Sequence, residues 1–213
     1  MVESTLPLKT RSRLTPEERT TEIMSVTRQL LAEKGYQKVI TAEVAERCGI
    51  SEGTIFKYFS SIRELLIKVS EEWFEEILGL VNASTARDGS IRERLRQLIW
   101  QSLSIVRKEP SLTRFILMEL RADPNYREMK IYRLNQRFTA KINDVLQEAI
   151  DTGVFRDDVS VSLLRDMIFG CIEHQTWIYL RNEGDFSVDE TTDGITNVIF
   201  RGMAKPELTD AQR

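Results

Sequence analysis

The sequence predicts an all-α protein, a three-helix head followed by a six-helix body, and three observations predict it. The five prolines all stand where a helix would begin or end, and none falls between Pro16 and Pro110. A Ser or Thr followed three residues later by Glu precedes apolar runs, as in Thr15-Pro16-Glu17-Glu18 and Ser61-Ile62-Arg63-Glu64. Apolar residues recur at three- and four-residue steps, with no useful β alternation and no internal repeat of fixed period.

The first helix starts at about Pro16, where Thr15 caps and Glu18 complements the free N–H groups, and Ile23, Val26, Leu30 and Leu31 carry it to a stop at Gly35. Two short helices follow, over 41–48 and about 51–58, each opening with a Ser or Thr cap and separated by Gly49-Ile50. From Ser61, the positions Leu65, Leu66, Val69, Trp73, Ile77 and Leu80 predict a long helix to about residue 83, broken by Asp88-Gly89-Ser90. Further helices fit 91–107, 111–121, 125–150, 161–180 and 188–203, with Pro110, Pro124, Gly153 and Gly184 in their separators. The expected domains are 1–61 and 62–213.

With 213 residues, 41% of them apolar and 30% charged, the chain can bury a sizeable core, which excludes disordered and low-complexity classes. No apolar run is long enough to span a bilayer, and residues 1–14 lack a signal-like apolar segment, so a cytoplasmic protein without a membrane partner is expected. Cys48 and Cys171 cannot form a disulfide framework. His174, the single histidine, stands near Cys171 with neither further metal ligands nor a glycine-rich oxyanion turn. No metal, no cofactor and no enzymatic activity are expected.

Net charge is -3, but residues 1–62 hold nine Lys/Arg against eight Asp/Glu, and Lys9, Arg11 and Arg13 crowd an arm without helical period. Two readings fit the arm: a tail, or a set of phosphate contacts. The second needs support from the neighbouring segment 41–59. Ala45, Gly49 and Ile55 supply the small residue, the turn glycine and the returning aliphatic that a helix-turn-helix needs, while Val44, Cys48, Ile50 and Phe59 complete a small core. Glu52, Gly53, Thr54, Lys57 and Tyr58 are then left to face outward at the start of the second helix, the part that enters a major groove.

These residues resemble the TetR-type transcriptional regulators, through Thr41, Val44, Ala45, Gly49, Ile50, Ser51, Gly53, Thr54, Ile55, Phe56, Tyr58, Phe59, Ser61 and Leu65. The resemblance implies that Thr41 bonds a phosphate, that Gly53 and Thr54 lie where the recognition helix meets the groove, and that Lys57 and Tyr58 contact base edges or phosphates; Ser51 and Glu52, at the start of the same helix, join the DNA-binding candidates. Phe56 stands where the family often has Tyr, and Ile62 where a phosphate-binding Lys is usual. Arg63 or the arm residues are the candidates to compensate.

For the body, Trp100, Leu103, Phe115, Met118, Phe138, Met167 and Trp177 are the candidate walls of an effector pocket, with Arg121 and His174 as polar anchors. The run Arg92, Glu93, Arg94, Arg96 reads as a solvated face with local ion pairs. Ile168, Cys171, Ile172, Trp177 and Ile178, then Ile195, Val198, Ile199 and Met203, exceed one apolar stripe and predict a homodimer seam. The expected function is ligand-responsive regulation at a roughly palindromic DNA operator, most simply repression relieved by a small apolar effector, a fatty acid or acyl-CoA among the candidates. A helical carrier or enzyme with a head that no longer binds DNA is the alternative, favoured by Phe56 and Ile62.

Overall fold

The computed structural model describes residues 14–84 and 89–205, so the arm residues Lys9, Arg11 and Arg13 lie outside it. Among the described residues the architecture is all helical: α1 Pro16–Lys34, α2 Thr41–Cys48, α3 Glu52–Ile55, α4 Ile62–Ser84, α5 Ile91–Lys108, α6 Pro110–Phe115, α7 Lys130–Asp151, α8 Val161–Leu180 and α9 Val188–Met203. Packing divides the chain within α4, into a head through Val69 and a body from Ser70. Leu65, Leu66 and Val69, at the start of α4, are all buried.

Local chemistry explains most boundaries. Thr15 Oγ1 accepts from the Glu18 amide at 3.2 Å while the Glu18 carboxylate accepts from the Thr15 amide at 2.8 Å, a reciprocal cap that starts α1 where the sequence places it. At α4 the cap is split between two serines. Ser61 Oγ accepts from the Glu64 amide at 3.1 Å, but the Glu64 carboxylate turns to the amide and hydroxyl of Ser60, both at 2.6 Å. Three elements differ from expectation. The segment 51–58 is helical only over Glu52–Ile55 and then tightens into i→i−3 turns at Lys57 and Tyr58, which bring Phe59 into the core. The single helix expected over 111–121 becomes α6 followed by a π turn, Ile116–Leu120, closed by the Arg121 amide on the Ile116 carbonyl at 3.0 Å. The helix expected from 125 opens as a 3₁₀ turn, Tyr126–Glu128, before α7 begins at Lys130.

In the head, α1 packs on α2 and α2 on α3 around Ile23, Leu30, Leu31, Val44, Ala45, Cys48 and Ile55. In the body α5 is central, touching α6, α7, α8 and α9 through Leu95, Leu98, Ile99, Leu103 and Val106. The basic run on α5 is not a locally paired face. Arg94 grips Glu148 of α7 with two bonds of 2.8 and 2.9 Å, Arg96 reaches Asp193 of α9 at 2.6 Å, and Arg92 bonds Asn197. Periodicity cannot show this, because such partners stand far away in sequence.

Candidate nucleic-acid interface and effector cavity

The turn between α2 and α3 is set by Gly49, which takes φ 64° and ψ 38°, the left-handed region. Its amide bonds the Glu46 carbonyl at 3.0 Å and the Ile50 amide bonds the Ala45 carbonyl at 3.0 Å, the paired bonds of a Schellman stop. Ser51 then caps α3, its Oγ accepting from the Thr54 amide at 3.2 Å and lying 2.9 Å from Thr54 Oγ1. Val44, Ala45, Cys48, Ile55 and Phe59 are buried. Burial pushes the Cys48 thiol up.

With that core closed, Ser51, Glu52, Gly53 and Lys57 are exposed, and Thr41, Thr54 and Tyr58 are half-buried. Thr41 is not a cap but the first helical residue. The preceding position is Ile40, which makes no side-chain bond, so the first-turn amides of α2 have no side-chain acceptor and suit an anion. Gly53 has no internal reason to lack a side chain. Its φ is not positive, and an added Cβ would meet only Ser51 Oγ, at 3.8 Å. Arg47 and Lys34 are engaged within the head: Arg47 holds Glu33 at 2.8 and 2.6 Å and Lys34 pairs with Glu43, bracing α1 against α2. Phe56 and Ile40 are more than half exposed, at 51% and 56%.

The body holds a cleft-like cavity of about 340 Å³, partly open to solvent and within the range of small-molecule sites. Phe74, Ile105, Val106, Leu117, Phe138, Phe169 and Ile172 give it apolar walls, Ser102, Thr113, Asn135, Thr139 and Thr176 add polar atoms, and Arg121, Arg165, Asp166 and Glu173 bring charge. The charges are internally matched: Arg121 Nη1 lies 2.6 Å from Glu173 Oε1, and Arg165 Nη2 lies 2.7 Å from Asp166 Oδ1. Burial pushes the Tyr126 hydroxyl up, with the Arg121 charge opposing. Thr113, Leu117 and Arg121 stand four residues apart along one wall. In an α-helix each such step drifts by about 40°. The wider π turn drifts the other way and returns Arg121 to the cavity.

Of the nine residues expected to form this pocket, Arg121 and Phe138 line it. Leu103 and Phe115 are buried core residues, Met118 and Trp177 are half-buried, and none of the four lines it. Trp100 turns its Nε1 to Asp189 at 2.9 Å, Arg181 stacks 5.2 Å over Trp177, and Met167 and His174 are exposed. The physical reason is rotation: one residue along a helix turns a side chain by about 100°. In this cavity's lining Ser102 stands one position from the expected Leu103, Phe169 two from Met167, and Glu173 and Thr176 one each from His174 and Trp177. Hydroxyls inside an apolar pattern were the available signal. Similarly, Ile168, Ile172, Ile199 and Met203 from the expected dimer seam are buried within the protomer, while Leu163, Met167, Cys171 and Val198 are exposed.

Among the described residues there is no group of three or more His, Cys, Asp or Glu able to hold a metal, and no helix is long and apolar enough to cross a membrane.

Comparison with known proteins agrees with this geometry. Residues 23–69 match the family described as bacterial regulatory proteins, tetR family, and residues 88–203 match the tetracyclin repressor-like C-terminal domain. The chain is 21% identical to a fatty acid metabolism regulator protein of Bacillus subtilis (strain 168), over 85% of this chain and 94% of that one. It is 22% identical to the HTH-type transcriptional repressor KstR2 of Rhodococcus jostii (strain RHA1), over 88% and 92%. Its fold matches the crystal structure of the transcriptional regulator FadR from Bacillus subtilis in complex with stearoyl-CoA, with a TM-score of 0.72 and 22% identity over 85% and 98%. A helix-turn-helix head and a separate helical body, each matched over most of its length, place the chain in the tetR family of bacterial transcriptional regulators.

Proposed function

We propose that the protein is a ligand-responsive repressor: its head binds an operator, and a small apolar effector in the body cavity lowers operator affinity. The observation that supports this is the joint presence, in one chain, of an exposed helix-turn-helix surface around Gly53 and a mostly apolar cavity of about 340 Å³. On DNA, Gly53 and Thr54 approach the major groove, Lys57 and Tyr58 flank it, Glu52 offers an acceptor to a base edge, and Thr41 with the first amides of α2 takes a phosphate. Lys9, Arg11 and Arg13 add phosphate contacts from the arm.

The working unit is a homodimer on a roughly palindromic site, its half-sites about 34–36 Å apart. Leu163, Met167 and Val198, exposed at 52%, 49% and 69%, support α8 and α9 as the seam. Release requires that the effector bind the conformation of low operator affinity better than the other. A difference of about 1–3 kcal/mol weakens operator binding about 5–150-fold. An acyl chain is the first effector class to test, because each buried CH₂ contributes about 0.8 kcal/mol in such a cavity and a structural neighbour holds stearoyl-CoA.

The test is selection of bound fragments from random duplex DNA, followed by release of the selected site with acyl compounds of increasing chain length. A palindromic consensus and release that strengthens with chain length are expected. A protein that selects no sequence, or binding that ignores every apolar compound, overturns the reading.

A further inference from the structure

The four hydroxyls in the cavity wall come from four different helices, and all four protons are already engaged. Ser102 Oγ of α5 donates to the Leu98 carbonyl at 2.8 Å, and Thr113 Oγ1 of α6 donates to the Glu109 carbonyl at 3.0 Å. Thr139 Oγ1 of α7 donates to the Gln136 carbonyl at 3.0 Å, and Thr176 Oγ1 of α8 donates to the Ile172 carbonyl at 2.8 Å. A hydroxyl has one proton and two lone pairs, so each of these oxygens can offer an incoming molecule only acceptor capacity. Ser102, Thr113 and Thr176 are buried residues, at 7%, 8% and 2% exposure.

The charged groups add no surplus cation. Arg121 is matched by Glu173 and Arg165 by Asp166, all four in the same lining. A carboxylate brings only acceptors and a negative charge to four hydroxyls that offer only acceptors, and the two guanidiniums in the lining are each already matched by a carboxylate. A quaternary ammonium brings no donor. A hydroxyl donates to one wall oxygen and can accept from the Asn135 amide.

We infer that the effector's polar group is an uncharged hydrogen-bond donor, a hydroxyl on an otherwise apolar body, and that the cavity selects against a carboxylate in that place. This rests on the cavity being the site of a small apolar effector, and deepens that reading by replacing a free acyl carboxylate with an uncharged hydroxyl as the ligand's polar group.

The experiment uses the full chain and four probes of equal chain length: dodecanol, methyl dodecanoate, dodecanoate and dodecyltrimethylammonium. Affinity is read by calorimetric titration below micelle-forming concentrations. Dodecanol should bind about three- to tenfold more tightly than the ester, which has the same chain and no donor, and more tightly than either ion. Thr113→Val and Thr176→Val keep the side-chain shape and remove the acceptor. Each should reduce the preference for dodecanol over the ester while leaving ester affinity unchanged, so that the ester reports an intact cavity. Thr139→Val, at a half-buried position, repeats the test where folding is least at risk.

Dodecanoate binding as tightly as dodecanol, or an unchanged ranking in all three variants, overturns the inference and leaves the apolar cavity as the effector site. Failure of every probe to bind overturns both.

Discussion

Replacing Gly53 by alanine should stabilise the protein and weaken its hold on DNA at once. The added methyl meets Ser51 Oγ at 3.8 Å, ordinary contact, and Gly53 is not among the residues with positive φ, so no strain follows. Alanine in a helix is favoured over glycine by about 0.5–1 kcal/mol, which raises Tm by about 1–4 °C for a chain of this size. In the proposed DNA complex the same methyl would occupy space that the backbone of α3 needs to approach the groove. A loss of tenfold or more in operator affinity, about 1.4 kcal/mol, is expected. Thermal unfolding measures the first term and fluorescence anisotropy on the selected operator, at fixed salt, the second. Opposite signs distinguish a residue kept for its partner from one kept for the fold. A Tm that falls, or an affinity that stays, would refute the reasoning.

Thr54→Ala and Lys57→Ala should each remove a contact of about 1–3 kcal/mol if it reaches a base edge, and a Lys57 phosphate contact would lower the salt slope of binding by about 0.9. Unchanged affinity and slope in both variants would move the interface off α3. Met167→Glu or Val198→Glu, at exposed positions, should dissociate the proposed dimer with the protomer still folded, as read by sedimentation against the unsubstituted chain. Ile199→Glu strikes a residue only 6% exposed within its own protomer and should unfold it instead. Acid should destabilise the chain in a defined direction. Hydrogen bonds from Arg47 hold Glu33 below the ordinary carboxyl value of 4.5, the Ser60 hydroxyl and amide do the same for Glu64, and the Ser90 amide and hydroxyl for Glu93. A depressed carboxyl contributes stability that is present above its unfolded value and lost as pH falls through its folded value. Thermal stability should therefore hold above about pH 4.5 and drop below it, with Glu33→Gln less stable at neutral pH and less acid-sensitive.

By itself the sequence determined the features whose physics is local. The Thr15 cap and Gly35 stop bound α1, the Ala45, Gly49 and Ile55 spacing specifies the head's turn, and the limits of α8 and α9 are where the sequence puts them. A cap needs only residues three apart, and a left-handed turn needs only its glycine. Exposure at Glu52, Gly53 and Lys57 follows once the small core residues are assigned, so the candidate DNA surface was legible too. The body is different. Periodicity marks a broad apolar stripe, but neighbouring helices decide which part of it meets core, cavity or solvent. On α8, Ile168 is buried, Phe169 lines the cavity and Met167 is exposed, three adjacent apolar residues with three fates. The π turn that returns Arg121 to the wall and the long-range grip of Arg94 on Glu148 likewise depend on groups distant in sequence. Only the packed tertiary structure brings such groups together, because about 100° of rotation per residue separates one helix face from the next.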